Sequence, residues 1–214
     1  MSDLWSARAP LYRAATEHAG GDDLDLLVAW CEPGLGVTVL DVATGGGHTA
    51  HALREAGCTV VGADSAPGVQ PDVVCAAEEL PFADSSFDAV VSRIAPHHFE
   101  DVHAAVGEMA RVARRVVVVE DTLYASDAVE EAERLRDPTH VRSYTEDEWR
   151  AVFDGAGLEV EEVAFVNKRR PVDEWLTRTG CAGEEADRVR VLLGDHVDGA
   201  DYVDTKILLR GGKV

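Results

Sequence analysis

A continuous apolar run that ends in three consecutive glycines is the feature that most constrains the fold of this chain. Residues 37–43, Val-Thr-Val-Leu-Asp-Val-Ala, lead through Thr44 into the glycines at 45–47. Strands that are apolar on both faces are typical of parallel sheets covered by helices, and glycines allow a tight turn into the next element. The segment therefore predicts a buried strand, a glycine loop and a helix that begins at His48.

The elements that follow alternate as a parallel α/β sheet requires. Apolar runs predict further strands at 58–63, 73–76, 87–92, 116–119, 158–166 and 203–209. Helical patterns lie at 102–112, 127–136, 145–156, 172–178 and 184–196. This alternation predicts βαβ crossovers within one domain, residues 1–214. Within it we expect a helical N-terminal segment (1–34), a ligand-binding core (about 35–122), and covering helices with the last strands (about 123–214).

The charge balance limits the partners that this chain can bind. It has 40 acidic against 20 basic side chains, a formal net charge of -20. A field of that sign repels phosphate backbones and anionic lipids, so we predict no nucleic-acid partner and no membrane partner. A small anionic substrate stays compatible with this charge because it needs only a local basic group.

The ends of the chain and its cysteines predict a cytoplasmic protein. The first residues have neither the positive nor the apolar region of a secretory signal, and no apolar run approaches the roughly 20 residues of a membrane span. Cys31, Cys58, Cys75 and Cys181 lie far apart and form no C-x-x-C pair. Such cysteines are typical of a reducing compartment, where they act as small hydrophobic residues.

Two acidic residues mark the edge of the sheet where a ligand is expected, at the carboxyl ends of the parallel strands. Asp41 stands near the end of the first strand, where it can accept from an ammonium group, and Asp64 ends the second, where it can accept from two ribose hydroxyls. These features fit S-adenosylmethionine. They also fit a nicotinamide dinucleotide, because Gly45-x-Gly47-x-x-Ala50 satisfies the loose dinucleotide fingerprint.

A longer motif downstream distinguishes between these two cofactors. Residues 77–88, Ala-Glu-Glu-Leu-Pro-Phe-Ala-Asp-Ser-Ser-Phe-Asp, resemble the A-E-x-L-P-F-x-D-x-S-F-D run of class I methyltransferases of the ubiquinone/menaquinone-biosynthesis type. The resemblance continues through 92–99, 108–112 and 134–142, where His-His-Phe and Arg-Asp-Pro-Thr-His-Val-Arg are similar to motifs of a YcgJ-like bacterial branch. It implies transfer of a methyl group from S-adenosylmethionine to an oxygen, nitrogen or carbon atom of a small-molecule acceptor by in-line displacement.

The resemblance also implies the architecture. We expect a doubly wound, Rossmann-like α/β fold with a seven-stranded sheet of order 3-2-1-4-5-7-6, in which strand 7 is antiparallel. The helices between strands 6 and 7 would form a lid over the site. The N-terminal segment folds over the cofactor in such enzymes, and we expect a monomer or a homodimer.

The family motifs imply the residues that contact the cofactor. In that family the positions of Ala77 and Glu78 lie beside the adenine. The predicted cofactor contacts are Asp41, Ala43, Thr44, Gly45, Gly46, Gly47, Asp64, Ser65, Ala77, Glu78, Ser92 and Tyr12. We predict no metal, because His48 and His51 have helical i,i+3 spacing but no cysteine or carboxylate completes a ligand set with them.

Two adjacent histidines follow the fourth strand, where the family places the reactive methyl group. An imidazole titrates near neutral pH, so His97 is the predicted catalytic base and His98 a predicted substrate contact. The alternative is that one of the two histidines packs under the loop and bonds to a backbone carbonyl.

Three further residues are predicted substrate contacts, each with a structural alternative. Arg93 could bind an acceptor carboxylate or pair with an acid such as Asp88. His140 and Arg142 lie in a loop expected over the carboxyl edge of the sheet, where they could contact substrate or anchor the loop.

The sequence departs from the family pattern at a few positions. Ala76 replaces a common acidic residue, and Arg114-Arg115 replaces a Pro-Gly-Gly turn. The Pro-rich segment 65–72 is too short for the usual crossover helix, so we expect one side of the cofactor site to be more open than in relatives. These departures leave two alternatives, a different reaction on S-adenosylmethionine and a non-catalytic binding protein.

Overall fold

A mainly parallel sheet forms the centre of the computed structural model, which describes residues 2–14 and 18–213. Its strands are β1 Thr38–Val42, β2 Thr59–Asp64, β3 Val73–Val74, β4 Phe87–Arg93, β5 Ala113–Thr122, β6 Leu158–Pro171, β7 Val197–Asp198 and β8 Asp201–Lys213. The order is β3-β2-β1-β4-β5-β8-β6, and β8 is antiparallel to both neighbours. The predicted doubly wound sheet with an antiparallel last strand is confirmed, with the short β7 added as a partner of β8.

Eight helices are described around this sheet. They are α1 Ser2–Ala14, α2 Asp22–Trp30, α3 His48–Glu55, α4 Val102–Val112, α5 Asp127–Arg136, α6 Glu146–Gly155, α7 Val172–Thr179 and α8 Gly183–Leu193. The predicted N-terminal segment therefore contains two helices, while its residues 1 and 15–17 lie outside the described part. Within residues 2–14 and 18–213, no helix is both long enough and apolar enough to cross a membrane.

The central strands are buried on both faces, which explains their continuous apolar runs. One face of the sheet holds Val39, Val91 and Val118, and the other holds Leu40, Val90 and Val117, all fully buried. The first set packs against α2 and α3, and the second against α4 and α6. Since helices cover both faces, polar residues are left mainly to the strand ends, where the site lies.

The last two long strands extend beyond the rest of the sheet. Their pairing runs from Leu158↔Lys213 to Pro171↔Asp201, whereas β5 stops opposite Lys206. We predicted shorter strands, because the extension of β6 at 167–171 reads Asn-Lys-Arg-Arg-Pro and has no apolar run. This extension supports α7 and α8, whose apolar side chains pack with α5 and with the buried Tyr202.

Helix α1 occupies the side of the site that we expected to be more open than in relatives. Segment 65–72 has no crossover helix, as its length indicated, and contains only a 3₁₀ turn at Pro67–Val69. The amide of Gly68 donates to Ser6 Oγ (3.0 Å), and a Cβ on Gly68 would lie 2.6 Å from atoms of Ser6. Helix α1 therefore covers this side of the site.

The capping box at the start of α6 provides a test of local stability. Thr145 Oγ1 accepts from the Glu148 amide (3.2 Å), and Glu148 Oε2 accepts from the Thr145 amide (2.8 Å). We expect Thr145→Ala to lower the free energy of unfolding by about 1 kcal/mol in urea denaturation, because a helix N–H loses its partner.

Thr177→Ala is the matched control for this substitution. Thr177 is an exposed residue of α7, and its hydroxyl donates only to the Asp173 carbonyl of the same helix. A change within about 0.5 kcal/mol is expected for it. Equal losses in the two variants would contradict a specific capping effect.

Candidate functional site

A cavity of about 440 Å³ lies at the carboxyl edge of β1, β2 and β4. It is lined by the loops that follow these strands, by the ends of β5 and β8, and by side chains of α1 and α7. Its volume falls in the range of roughly 300–1,000 Å³ that is usual for small-molecule sites. Helix α7 is thus part of the cover, as predicted for the lid, whereas α8 packs on α5 and does not line the cavity.

The glycine loop forms the floor of the cavity beneath α1. A Cβ on Gly46 would lie 2.7 Å from the Tyr12 carbonyl oxygen and 3.0 Å from the His48 ring. His48 Nε2 is 3.1 Å from the same carbonyl oxygen. Position 46 therefore requires glycine because α1 approaches the loop so closely.

Two residues with side chains adopt the left-handed backbone conformation at neighbouring strand ends. Ala43 follows β1 with φ of 57°, and Ile94 follows β4 with φ of 51°. Both line the cavity, and the Ile94 amide donates to the Glu120 carbonyl (2.7 Å). Such a conformation costs of order 1–3 kcal/mol in a branched residue and is typical of functional edges. No sequence motif marked Ile94 as a residue of the site.

The two acids expected at this edge have different environments. Asp64 lines the cavity and accepts from the amides of Gly45 (3.0 Å) and Ala66 (2.9 Å). Burial raises its pKa, and these hydrogen bonds act in the opposite direction. Asp41 is fully buried below the loop, where its carboxylate accepts from Thr44 Oγ1 (2.6 Å) and burial raises its pKa to about 6.

Most of the predicted cofactor contacts meet in the cavity. Those that line it are Tyr12, Ala43, Thr44, Gly45, Gly46, Asp64, Ser65, Ala77 and Glu78. Asp41, Gly47 and Ser92 do not line it. Gly47 is the N-cap of α3, and Ser92 is fully buried within β4, so neither is presented to the cavity by its strand or helix.

His97 forms a pair with a buried aspartate. It lies in a 3₁₀ turn at Pro96–His98, and its Nδ1 is 2.5 Å from Oδ1 of Asp121, at the end of β5. Burial is the main cause that lowers the pKa of His97 well below 6.5, and it raises the pKa of Asp121 to about 7. A neutral His97 then donates from Nδ1 to the carboxylate. Its Nε2, which has no hydrogen-bond partner among residues 2–14 and 18–213, stays available as an acceptor.

His98 has a different environment from its neighbour. Its Nδ1 lies 2.9 Å from the Thr139 carbonyl oxygen, and its ring meets the Trp5 ring edge-on at 4.8 Å. Burial lowers its pKa to about 3. His98 also lines the cavity. Its Nδ1, however, contacts a backbone carbonyl, as in the structural alternative considered for one of the two histidines.

The guanidinium of Arg93 lies in a buried ion-pair cluster. Its Nε donates to Glu120 (2.7 Å) and its Nη2 to Asp23 (2.5 Å). The expected partner Asp88 is wrong, since that residue pairs with Arg114. Asp88 and Arg93 stand near opposite ends of β4, about 17 Å apart at the rise of a strand. Arg93 contributes to the cavity wall with its donors already engaged.

The two loop residues predicted to contact substrate lie outside the cavity lining. His140 Nε2 is 2.9 Å from Glu130, and Arg142 pairs with Glu148 (2.5 Å) while its guanidinium stacks on Tyr144 at 4.5 Å. Both side chains thus hold the loop against α5 and α6. This arrangement corresponds to the loop-anchoring alternative.

Several polar residues of the cavity were missed by sequence reasoning. They are Asp121 and Thr122 on β5, Glu133 and Arg136 on α5, Arg170 on β6, and Asp204 and Lys206 on β8. Apart from Asp121, which bonds to His97 from behind, all of them line the cavity. The sequence signals for these residues were weak. Glu120, Asp121 and Thr122 follow an apolar run, and Lys206 precedes the apolar residues of the last strand. Their convergence depends on the pairing of β8 with β5.

The chain is similar to known methyltransferases. Residues 40–119 match a family described as a methyltransferase domain. The chain is 32% identical over 211 residues to the methyltransferase YcgJ of Bacillus subtilis, covering 88% of this chain and 82% of that protein. The crystal structure of YcgJ superposes with a TM-score of 0.79 at 28% identity, covering 89% of this chain and 97% of the other. A demethylmenaquinone methyltransferase of Mycolicibacterium paratuberculosis is 39% identical over 98 residues, 41% of this chain and 43% of that protein.

The ion-pair cluster around Arg93 predicts a strong effect on stability. Burial raises the pKa of Glu120 to about 7 even with Arg93 beside it, and that carboxylate would lose its cation in Arg93→Met. We expect the free energy of unfolding to fall by about 3–5 kcal/mol in urea denaturation, since the buried carboxyl groups of Glu120 and Asp23 lose the cation that they share.

The exposed Arg115, which pairs with Glu32 (2.5 Å), offers a control. Arg115→Met should cost less than about 1 kcal/mol, because water screens this pair. If Arg93→Met were as mild as Arg115→Met, the assignment of Arg93 to a structural cluster would be refuted.

Proposed function

Because the chain belongs to the methyltransferase family that includes YcgJ, we propose that it transfers a methyl group from S-adenosylmethionine to a small-molecule acceptor, with His97 as the general base. The observation that carries the proposal is that one cavity holds the glycine loop, Asp64 and a histidine backed by a buried aspartate. When bound, this cofactor would supply a methyl group activated by a positively charged sulfur. The acceptor atom would attack the methyl carbon in line, and the sulfur would leave as the carbon–sulfur bond breaks.

The described residues fit this cofactor. Each carboxylate oxygen of Asp64 accepts from one backbone amide and keeps capacity for a further donor, such as a ribose hydroxyl. Gly45 lines the cavity, and the nearest atom to a Cβ placed there would be the Ala43 carbonyl oxygen at 3.8 Å, so a ligand can lie close to the backbone at this position. Ala77 and Glu78 border the same cavity, as expected for the adenine end.

The contribution of His97 is to remove a proton from the acceptor. Its Nδ1 is held by Asp121, so the ring keeps one orientation and one tautomer, with a lone pair on Nε2. An acceptor hydroxyl or amine that loses its proton to Nε2 becomes a stronger nucleophile. The imidazolium that forms is stabilised by the Asp121 carboxylate.

The cover over the cavity excludes water and aligns the reactants. Arg8 on α1 donates to Asp137 (3.0 Å) and to the Thr179 carbonyl at the end of α7 (2.9 Å), which joins the two covering helices. Since the methyl group is already activated, alignment and exclusion of water are the main catalytic tasks of the protein. The acceptor atom, the cytoplasmic location and the monomeric or homodimeric state stay predictions.

The first test of this proposal is cofactor binding. By titration calorimetry we expect S-adenosylmethionine and S-adenosylhomocysteine to bind and NAD not to bind. Asp64→Ala should weaken both adenosyl ligands roughly 10- to 100-fold, because hydrogen bonds to a charged acceptor are lost.

The exposed Asp195 gives a matched control, for which Asp195→Ala should leave both affinities unchanged. The absence of binding by either adenosyl ligand would overturn the proposed cofactor.

The second test is the role of the pair His97–Asp121. In an assay of labelled methyl transfer over a panel of hydroxyl and amine acceptors, His97→Ala should lower kcat by roughly 10²- to 10⁴-fold with unchanged cofactor affinity. Asp121→Asn should have a similar effect, because an amide can donate to Nδ1 and so place the proton on Nε2. The wild-type rate should fall as pH falls below about 7, where Asp121 gains a proton.

His103→Ala is the control for His97→Ala, since His103 is an exposed histidine of α4. Normal turnover in His97→Ala would remove the base from the mechanism. Cofactor binding without any labelled product over the panel would favour the alternatives of another reaction or a binding protein.

A further inference from the structure

One end of the cavity has an excess of positive charge, although the chain as a whole has a net charge of -20. Arg136, Arg170 and Lys206 line this end and are called the basic wall below. Their ion-pair partners are Glu133, which pairs with Arg136, and Asp204, which is shared by Arg170 and Lys206. Three cations thus form ion pairs with two carboxylates; Asp121 also interacts electrostatically with Lys206, but its carboxylate is bonded to His97.

Lys206 is held in the wall with spare donor capacity. It is almost fully buried, and its Nζ donates to Thr122 Oγ1 (2.6 Å) and to Asp204 Oδ2 (2.7 Å). An ammonium group has three N–H donors, so one remains. Lys206 and Arg170 hold the pKa of Asp204 at about 2 against the opposing effect of burial, so this carboxylate is ionised and already shared by two cations.

The two arginines of the wall are held rigid by aromatic rings. The Arg136 guanidinium lies 4.2 Å from the Trp175 ring, and that of Arg170 lies 5.5 Å from the Tyr202 ring. The two rings are themselves in contact, with centroids 4.5 Å apart. Guanidinium groups fixed in this way lose little conformational entropy when an anion binds, which favours recognition.

The position of the wall assigns it to the acceptor and not to the cofactor. Lys206 lies on β8, which is separated from the glycine loop strand β1 by β4 and β5, a lateral distance of about 14 Å. Lys206 pairs in register with Thr122, the residue that follows Asp121. The wall is therefore adjacent to the pair His97–Asp121, at the end of the cavity away from Asp64.

We propose that the methyl acceptor carries a carboxylate, which binds to the basic wall while the atom to be methylated faces His97. This inference rests on the proposed function and names its substrate class. A carboxylate supplies a further negative charge and accepts from the remaining donors of Lys206 and the arginines. Attraction of an anion to this end of the cavity is local, since the chain as a whole has a net charge of -20.

Carboxylate probes and their uncharged amides test the inference directly. Benzoate, benzamide, acetate and acetamide are titrated into protein saturated with S-adenosylhomocysteine, followed by calorimetry. At least one carboxylate should bind at least about tenfold more tightly than its amide, because charge-assisted hydrogen bonds are stronger than neutral ones.

Variants with opposite expected effects separate recognition from loss of folding. Lys206→Met should reduce carboxylate binding about tenfold or more, whereas Asp204→Asn should strengthen it, since two cations lose their shared partner. Arg169→Gln is the matched control, because Arg169 is exposed on β6 and pairs with Asp198 away from the cavity. It should change nothing.

The outcomes also distinguish this inference from the proposed function. If S-adenosylhomocysteine fails to bind, the proposed function fails and the inference fails with it. If it binds but no carboxylate is preferred over its amide, or the preference is the same in Lys206→Met and Asp204→Asn, only the inference is overturned. A loss of S-adenosylhomocysteine affinity in Lys206→Met, with carboxylate binding unchanged, would assign the wall to the cofactor and overturn it as well.

Discussion

The parallel alignment of β1, β4 and β5 is the constraint on which the site depends. Leu40 pairs with Val90, and Val90 with Val117, so the carboxyl ends of the three strands meet at one edge. Because apolar residues fill both faces along the strands, the chain can change to polar and strained residues only where the strands end. The glycine loop, Ile94 and Asp121 all stand at this edge. Their proximity follows from strand pairing, although they are far apart in sequence.

Buried charged residues are the second feature on which the structure depends, and most of them form ion pairs with other residues of the protein. Arg93 bridges Asp23 and Glu120, which joins α2 to the ends of β4 and β5. The basic wall differs, because one carboxylate is shared by two cations there and the cluster faces the cavity. A buried ion is costly unless it is paired, so an unbalanced group beside a cavity is best explained by a ligand that completes it. The same cavity thus borders two clusters: the one around Arg93, whose donors are engaged within the protein, and the basic wall, which keeps donors for a ligand.

Much of the fold was predictable from local pattern. The strand order, the antiparallel last strand and the helices at 102–112 and 127–136 follow from apolar runs and from the resemblance to methyltransferases. The capping box at Thr145 was visible as a motif and is present in the structure. Some features had no local signal: β6 extends beyond its apolar run, and α1 covers the side of the site next to the short crossover. Long-range contacts decide both features.

By itself, the sequence determined the glycine loop after β1, the acid at the end of β2 and the position of the double histidine, because these are short motifs whose backbone geometry is local. It did not determine which side chains remain available. Arg93 pairs with Asp23, which is 70 positions away in sequence, and His140 and Arg142 pair with acids of the flanking helices α5 and α6. Only the tertiary structure places Asp121 behind His97 and Lys206 beside Thr122. The first contact depends on the parallel pairing of β4 with β5, and the second on the antiparallel pairing of β8 with β5, which joins residues 84 positions apart.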